Sequence, residues 1–192
     1  MDPRLERSRL RVLTAAFDLL ADGGVGGFSV EEVARRSGVA KTTIYRHWPP
    51  REALVADACR RMGAEQEETT PDTGSVVADV ESILREIGRL LWSATWAAVL
   101  PSVVDVAERD PDFAAIHSEI QRGHAAPLEA VLARGVARGE LPAEADVPTL
   151  VAALLGALFY RRWFSRQPID EAFVQGLVRQ VVGAEPGPLQ VS

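Results

Sequence analysis

The segment from Phe28 to Trp48 constrains this chain most, because its apolar spacing admits little besides two short helices joined by a tight turn. Val30, Val33 and Ala34 put apolar groups on one helical face, and Ser29 followed three residues later by Glu32 is a capping-box signature for the first helix. Ser37-Gly38 breaks that period. A glycine there reaches positive φ at little steric cost, so Gly38 marks the turn, and Val39 and Ile44 can pack a second helix onto the first. Leu10, Leu13, Phe17 and Leu20 recur at 3-4-3 spacing upstream, which predicts a supporting helix over 5–22.

With Val39 and Ile44 turned inward, Lys41, Thr42, Thr43, Tyr45, Arg46 and His47 are left as a polar, net basic surface. Hydroxyls, an amine, a guanidinium and an imidazole donate to phosphate oxygens and base edges, and a helix N-terminus adds backbone donors. The plainer reading is a solvated helix pair in an ordinary helical protein. The order of the residues favours the DNA reading over it.

Gly38-Val39-Ala40-Lys41-Thr42-Thr43-Ile44-Tyr45-Arg46-His47-Trp48-Pro49-Pro50-Arg51-Glu52-Ala53-Leu54 closely resembles the DNA-binding signature of the TetR family of transcriptional regulators. The likeness extends upstream through Ala15 to Leu20, Gly23-Gly24, Phe28-Ser29 and Glu32 to Ala34, and covers roughly residues 8 to 60. Three departures stand out: Ala40 where a serine is frequent, Trp48 where phenylalanine is usual, and Pro50-Arg51 where serine-lysine is common. The resemblance implies a DNA-facing set of Ser29, Lys41, Thr42, Thr43, Tyr45, Arg46, His47 and Arg51. In it Thr42 and Thr43 lie near base edges, Tyr45 and His47 position on phosphate, and Lys41, Arg46 and Arg51 supply sequence-independent attraction. It also implies an all-α fold, a homodimer on a double-stranded DNA operator, and a small-molecule effector that releases a repressor.

Charge is divided along the chain. The whole carries −6, yet residues 1–61 hold 11 Lys/Arg against 8 Asp/Glu, and residues 62–192 hold 10 against 19. A basic head attached to an acidic body argues against indiscriminate coating of nucleic acid. With 47% hydrophobic residues in 192, the chain can bury a core of one large or two small domains. The lone Cys59 cannot form an intrachain disulfide and reads as a helical packing residue, consistent with a reducing cytoplasm; a redox role would need an exposed, low-pKa thiolate. No secretory signal is evident at the N-terminus, and the apolar run Leu150–Tyr160 is about half the length needed to cross a bilayer.

The expected organisation is a helix-turn-helix head over 1–50, a linking helix over about 51–66, a helical regulatory and dimerisation body over 67–184, and a frayed tail over 185–192. The glycines of 23–27 are punctuation, since no phosphate-loop lysine follows them. Val76, Val80, Ile83, Ile87 and Leu91 begin a helix expected to run to Leu100, where Pro101 should interrupt it before a short helix over 102–108. Asp110-Pro111 opens the next, with Phe113, Ile116 and Ile120 on its apolar face, and Pro127 should kink or divide it. Asp146 and Asp170 read as N-caps of the last two helices.

Trp92, Trp96, Phe113, His117, His124, Phe159, Tyr160 and Trp163 can line an apolar cavity with a few polar handles for a moderately apolar organic effector, although each aromatic taken singly reads more readily as core than as a ligand contact. Leu154, Leu158, Phe159, Leu177 and Val181 are the candidates for a two-fold interface that pairs the last two helices as a four-helix bundle; the competing reading is that they complete a monomer core. His117 and His124 have no evident third ligand, so neither metal nor cofactor is expected. No nucleophile-base-acid set appears, which argues against an enzyme. A helical protein-interaction module remains the alternative. Protection of a palindromic DNA site separates it from a regulator.

Overall fold

The computed structural model describes residues 3–64 and 70–183. The side chains of Trp96, Ile116 and Ile120, and the tail expected over 185–192, lie outside the described residues. The regular elements are α1 (Pro3–Gly23), α2 (Val30–Ser37), α3 (Lys41–His47), α4 (Arg51–Ala64), α5 (Val76–Trp92), α6 (Ala94–Ala107), α7 (Pro111–Ala137), α8 (Val147–Phe159) with a π-helical turn over Tyr160–Ser165, and α9 (Glu171–Val181). The expected all-α class holds.

Helix starts follow their local signals. Ser29, Asp110, Asp146 and Asp170 each accept a hydrogen bond from the backbone N–H three residues on, which satisfies one of the donors a helix leaves unpaired at its N-terminus. Ala40 offers α3 no such bond. Pro101 does not interrupt its helix as expected, and Pro127 does not divide its own. Pro101 and Pro127 both sit inside continuous helices, α6 and α7, and the break between α5 and α6 falls at Ser93. At Pro101 the flanking Val99 and Val103 are buried, so packing on both sides outweighs the one backbone bond that proline removes.

The chain forms two compact units, Met1–Glu67 with Ser93–His124, and Glu68–Trp92 with Ala125–Ser192. This division differs from the expected head and body. The reason is core filling: Val99 and Val103 of α6 and Phe113 of α7 join Phe17, Leu20, Phe28, Val33, Ile44 and Leu54 in a single apolar cluster. Burying each such side chain contributes roughly 1.5–3 kcal/mol, so three more from distant sequence matter to a small head. Leu10, expected on the inward face of α1, is 39% exposed, and its place is taken by Val12, Ala16 and Leu19. Within this unit Val25 N–H donates to Ser102 Oγ, 3.3 Å away, which ties the α1–α2 turn to α6.

In the second unit α5 packs against α9 and α8, and Val80, Leu84, Leu128, Leu132, Leu154, Leu158, Val174 and Val178 are buried. Gly88 permits the close approach, since a Cβ there would stand 2.7 Å from Ile169 Cγ2. A polar clasp holds the segment before α5. Asp79 accepts from Thr73 N–H (2.9 Å) and Oγ1–H (2.7 Å), Arg138 bonds Asp72 at 2.9 Å, and Glu140 accepts from Val76 N–H at 2.7 Å.

Candidate DNA interface

The turn before α3 is held from several sides. Gly38 adopts φ 67°, and its N–H donates to the Ala34 carbonyl at 2.9 Å. Arg11 of α1 donates to the Ser37 carbonyl. Glu32 pairs with Arg35 and Arg36, whose hydrogen bonds lower its pKa to about 2, and Arg36 also reaches Asp22 of α1 at 2.7 Å. These contacts hold the end of α2 and the turn after it against α1.

On α3 only Ile44 is buried, and Trp48, which closes the helix, is buried beside it. Lys41, Thr42, Tyr45, Arg46 and His47 are exposed and Thr43 is half-buried, so the structure brings the expected polar set onto one outward surface. Not all of it is idle. Lys41 is ion-paired with Glu31 of α2 and lies 5.5 Å from the centre of the Tyr45 ring. His47 meets Trp48 edge-on at 5.9 Å. Ser29 uses its hydroxyl oxygen in the α2 cap, accepting from Glu32 N–H at 3.1 Å. Arg51 points into the head, where it donates to the Val25 carbonyl and stacks 5.6 Å from the Phe28 ring. Its charge is therefore partly engaged in joining α4 to the α1–α2 turn.

One constellation has no counterpart in the sequence reading. Trp48 Nε1–H donates to Asp57 Oδ2 at 2.8 Å, Arg9 reaches the same oxygen at 3.0 Å, and Arg60 reaches Oδ1 at 2.5 Å. Burial works against charge on Asp57, yet the hydrogen bonds from Arg60, Trp48 and Arg9 outweigh it and hold the pKa below the usual carboxylate value. The signal in the sequence was Trp48 itself, because a buried indole N–H calls for an acceptor.

The residues expected around an effector fall in both units. Phe113 is a core residue of the first unit; His117 and His124 follow it on α7, His117 bonded to Gln121 at 3.1 Å, with burial lowering the His117 pKa. Trp92, Phe159, Tyr160 and Trp163 belong to the second unit. There Arg162 lies 4.6 Å from the Trp92 ring, Phe159 is 5.6 Å from Trp163, and Tyr160 stacks on Phe164 at 5.8 Å. Two surface clefts of about 270 and 230 Å³ are lined by residues of the first unit and by none of these aromatics. Among the expected interface residues, Leu154 and Leu158 are fully buried within one copy, while Phe159, Leu177 and Val181 are half-buried. The two leucines therefore have no surface left for a partner. Cys59 is buried, and burial pushes its thiol up to about 12, away from any redox-sensor behaviour. Among the described residues no cluster of His, Cys, Asp or Glu could hold a metal, and no helix is long and apolar enough to cross a membrane.

Comparison with known proteins agrees with this geometry. Residues 12–58 match the family described as bacterial regulatory proteins, tetR family, and residues 70–181 match the tetracyclin repressor-like C-terminal domain. The chain is 27% identical over 177 residues to the uncharacterized HTH-type transcriptional regulator YdeS of Bacillus subtilis, covering 92% of this chain and 88% of that protein. It is 28% identical over 183 residues to the DNA-binding transcriptional repressor TetR of Mycobacteroides abscessus, covering 95% of each. The crystal structure of TetR family transcription regulator SCO0332 superposes with a TM-score of 0.75 at 31% identity, over 93% of this chain and 99% of that one. With both domains matched, the chain belongs to the TetR family, as a DNA-binding transcriptional regulator.

Proposed function

We propose that the protein is a homodimeric repressor that occupies a palindromic operator and is released when a small, moderately apolar organic molecule binds its body. The observation that carries this reading is α3, a helix anchored by Ile44 that presents five exposed polar residues to solvent. One such helix makes a small interface, and two copies related by a dyad read two half-sites. In this reading Thr42 and Thr43 face base edges, Tyr45 and His47 contact phosphate, and Lys41 and Arg46 add electrostatic attraction. Arg51 and Ser29 act mainly by shaping the head.

α8 supports the dimer. It has no charged residue, buries Val151, Leu154 and Leu158 within one copy, and exposes Ala152, Ala153 and Gly156. A helix apolar all round has a second face to cover. Phe159, Leu177 and Val181 flank that face in the proposed pairing. For the effector, the relevant cluster is Trp92 and Trp163, each in ring contact with Arg162, with Phe159 against Trp163, all within the second unit. The fold is shared with FadR of Bacillus subtilis in complex with stearoyl-CoA, with a TM-score of 0.72 at 19% identity, so this architecture admits a ligand with a long apolar part. The effector must favour the geometry that does not fit DNA; by linkage, DNA and effector then weaken each other equally. Such a protein works in the cytoplasm and performs no catalysis.

Selection of bound fragments from random duplex DNA tests the reading. An inverted repeat with half-sites about one helical turn apart, or a multiple of that, is the expected product. Recovery of no preferred sequence, with association to another protein instead, would favour the helical interaction module.

A further inference from the structure

We infer that Asp57 of α4 is the positioning residue that sets the pose of the recognition helix, acting through the indole N–H of Trp48. α3 has seven residues, too few to hold a pose alone, and besides the exposed Lys41–Glu31 ion pair it is attached to the head by the buried side chains of Ile44 and Trp48. Ile44 contributes apolar contact, which fixes depth and leaves rotation soft. Trp48 contributes a directed bond. Its backbone N–H closes the helix on the Ile44 carbonyl at 2.9 Å, and its Nε1–H ends on Asp57 Oδ2 at 2.8 Å. The acceptor is itself immobilised by Arg9 of α1 and Arg60 of α4, and the Arg9 guanidinium lies 6.0 Å from the centre of the Trp48 ring. Three elements thus converge on one carboxylate, and phenylalanine at position 48 could not join them.

Base reading tolerates errors of only about 0.5 Å, whereas attraction to phosphates hardly depends on orientation. Removing the Trp48–Asp57 bond therefore acts on specific binding and spares nonspecific binding. This inference rests on the DNA reading of α3, and the test separates the two. The full-length protein and its W48F, D57A, D57N and W48F/D57A variants are titrated against the duplex selected by the parent and against a scrambled duplex, at several salt concentrations. W48F and D57A are expected to bind the selected duplex about 10- to 100-fold more weakly, the range set by one hydrogen bond to a charged group, with scrambled binding and salt slope unchanged. D57N keeps an oxygen acceptor for the indole and should retain most of the affinity. The double variant should be no weaker than either single one. The inference is overturned if W48F binds the selected duplex as the parent does, if D57A weakens both duplexes alike, or if the effects of the two single variants add. A parent that selects no duplex at all overturns the DNA reading, and the inference with it. Melting temperatures of the variants, and the exchange rate of the Trp48 indole proton in the free protein, distinguish a broken bond from an unfolded chain.

Discussion

At the scale of single residues, the proposed DNA face is a set of groups whose charges are already partly spoken for. In the proposed DNA contact Lys41 gives up Glu31 to meet a phosphate, so there the ion pair holds back binding to any polyanion. Glu31→Gln should tighten binding to selected and scrambled duplexes alike, and Lys41→Ala should weaken both while reducing the salt slope by about 0.9, the value for one phosphate fewer neutralised. Thr42→Ala should instead change sequence preference with little change in salt slope. Titrations across ionic strength on both duplexes check all three; a Thr42 variant with the parent's preference would remove that residue from the reading set. Cys59 offers a chemical control. With its thiol buried and pushed up to about 12, iodoacetamide at neutral pH should label the native protein far more slowly than the unfolded chain, as mass spectrometry would show.

At the scale of elements, α3 starts without a side-chain cap. Its cap position, Ala40, has φ −58° and ψ 135°, an extended backbone compatible with a capping side chain, yet no side chain reaches the free N–H groups. Ala40→Ser should raise stability by about 0.5–2 kcal/mol, read as a higher denaturation midpoint; no gain would mean that the α3 N–H groups are satisfied in another way. In the second unit the clasp before α5 makes stability depend on acid. Asp79 is buried, which opposes its charge, but the hydrogen bonds from Thr73 and the nearby Arg134 and Arg138 outweigh that and keep its pKa below the usual carboxylate value. Glu140 is likewise lowered, by the Val76 N–H and then by Arg138. Groups with depressed folded pKa contribute stability above the unfolded value and lose it as pH falls through the folded one. Thermal melts should therefore be flat near neutrality and fall below about pH 4. Asp79→Asn should melt lower at pH 7 with a shallower acid limb; a variant as stable as the parent at pH 7 would show that the charge contributes nothing.

At the scale of the whole molecule, the proposed dimer must hold two recognition helices at one spacing. Gly156 offers a clean test, because a Cβ built there meets nothing within 4 Å in a single copy. Gly156→Arg should leave the subunit helical, since replacing a mid-helix glycine removes a cost of roughly 0.5–1 kcal/mol. The same change puts bulk and charge on the face proposed to pair. Sedimentation should then show monomer, and affinity for the selected duplex should fall much more than affinity for a scrambled one. A variant that remains dimeric would place the interface elsewhere.

What could be read from the sequence alone was whatever is decided within three or four residues. The caps at Ser29, Asp110, Asp146 and Asp170, the left-handed turn at Gly38 and the outward polar set of α3 are all short-range, because a helix start needs one acceptor nearby and a helix face needs only its period. Tertiary structure decided the rest. Pro101 and Pro127 stayed inside helices because buried neighbours outweigh one missing bond; α6 and half of α7 joined the head because its core needed Val99, Val103 and Phe113. Leu154 and Leu158 turned inward because α5 and α9 cover that side of α8. Trp48 found its acceptor nine residues away and a cation thirty-nine residues before it, which local periodicity cannot foresee. Short-range signals say where a helix begins and which side is wet, but the partner of a buried polar group is known only when the chain has closed around it.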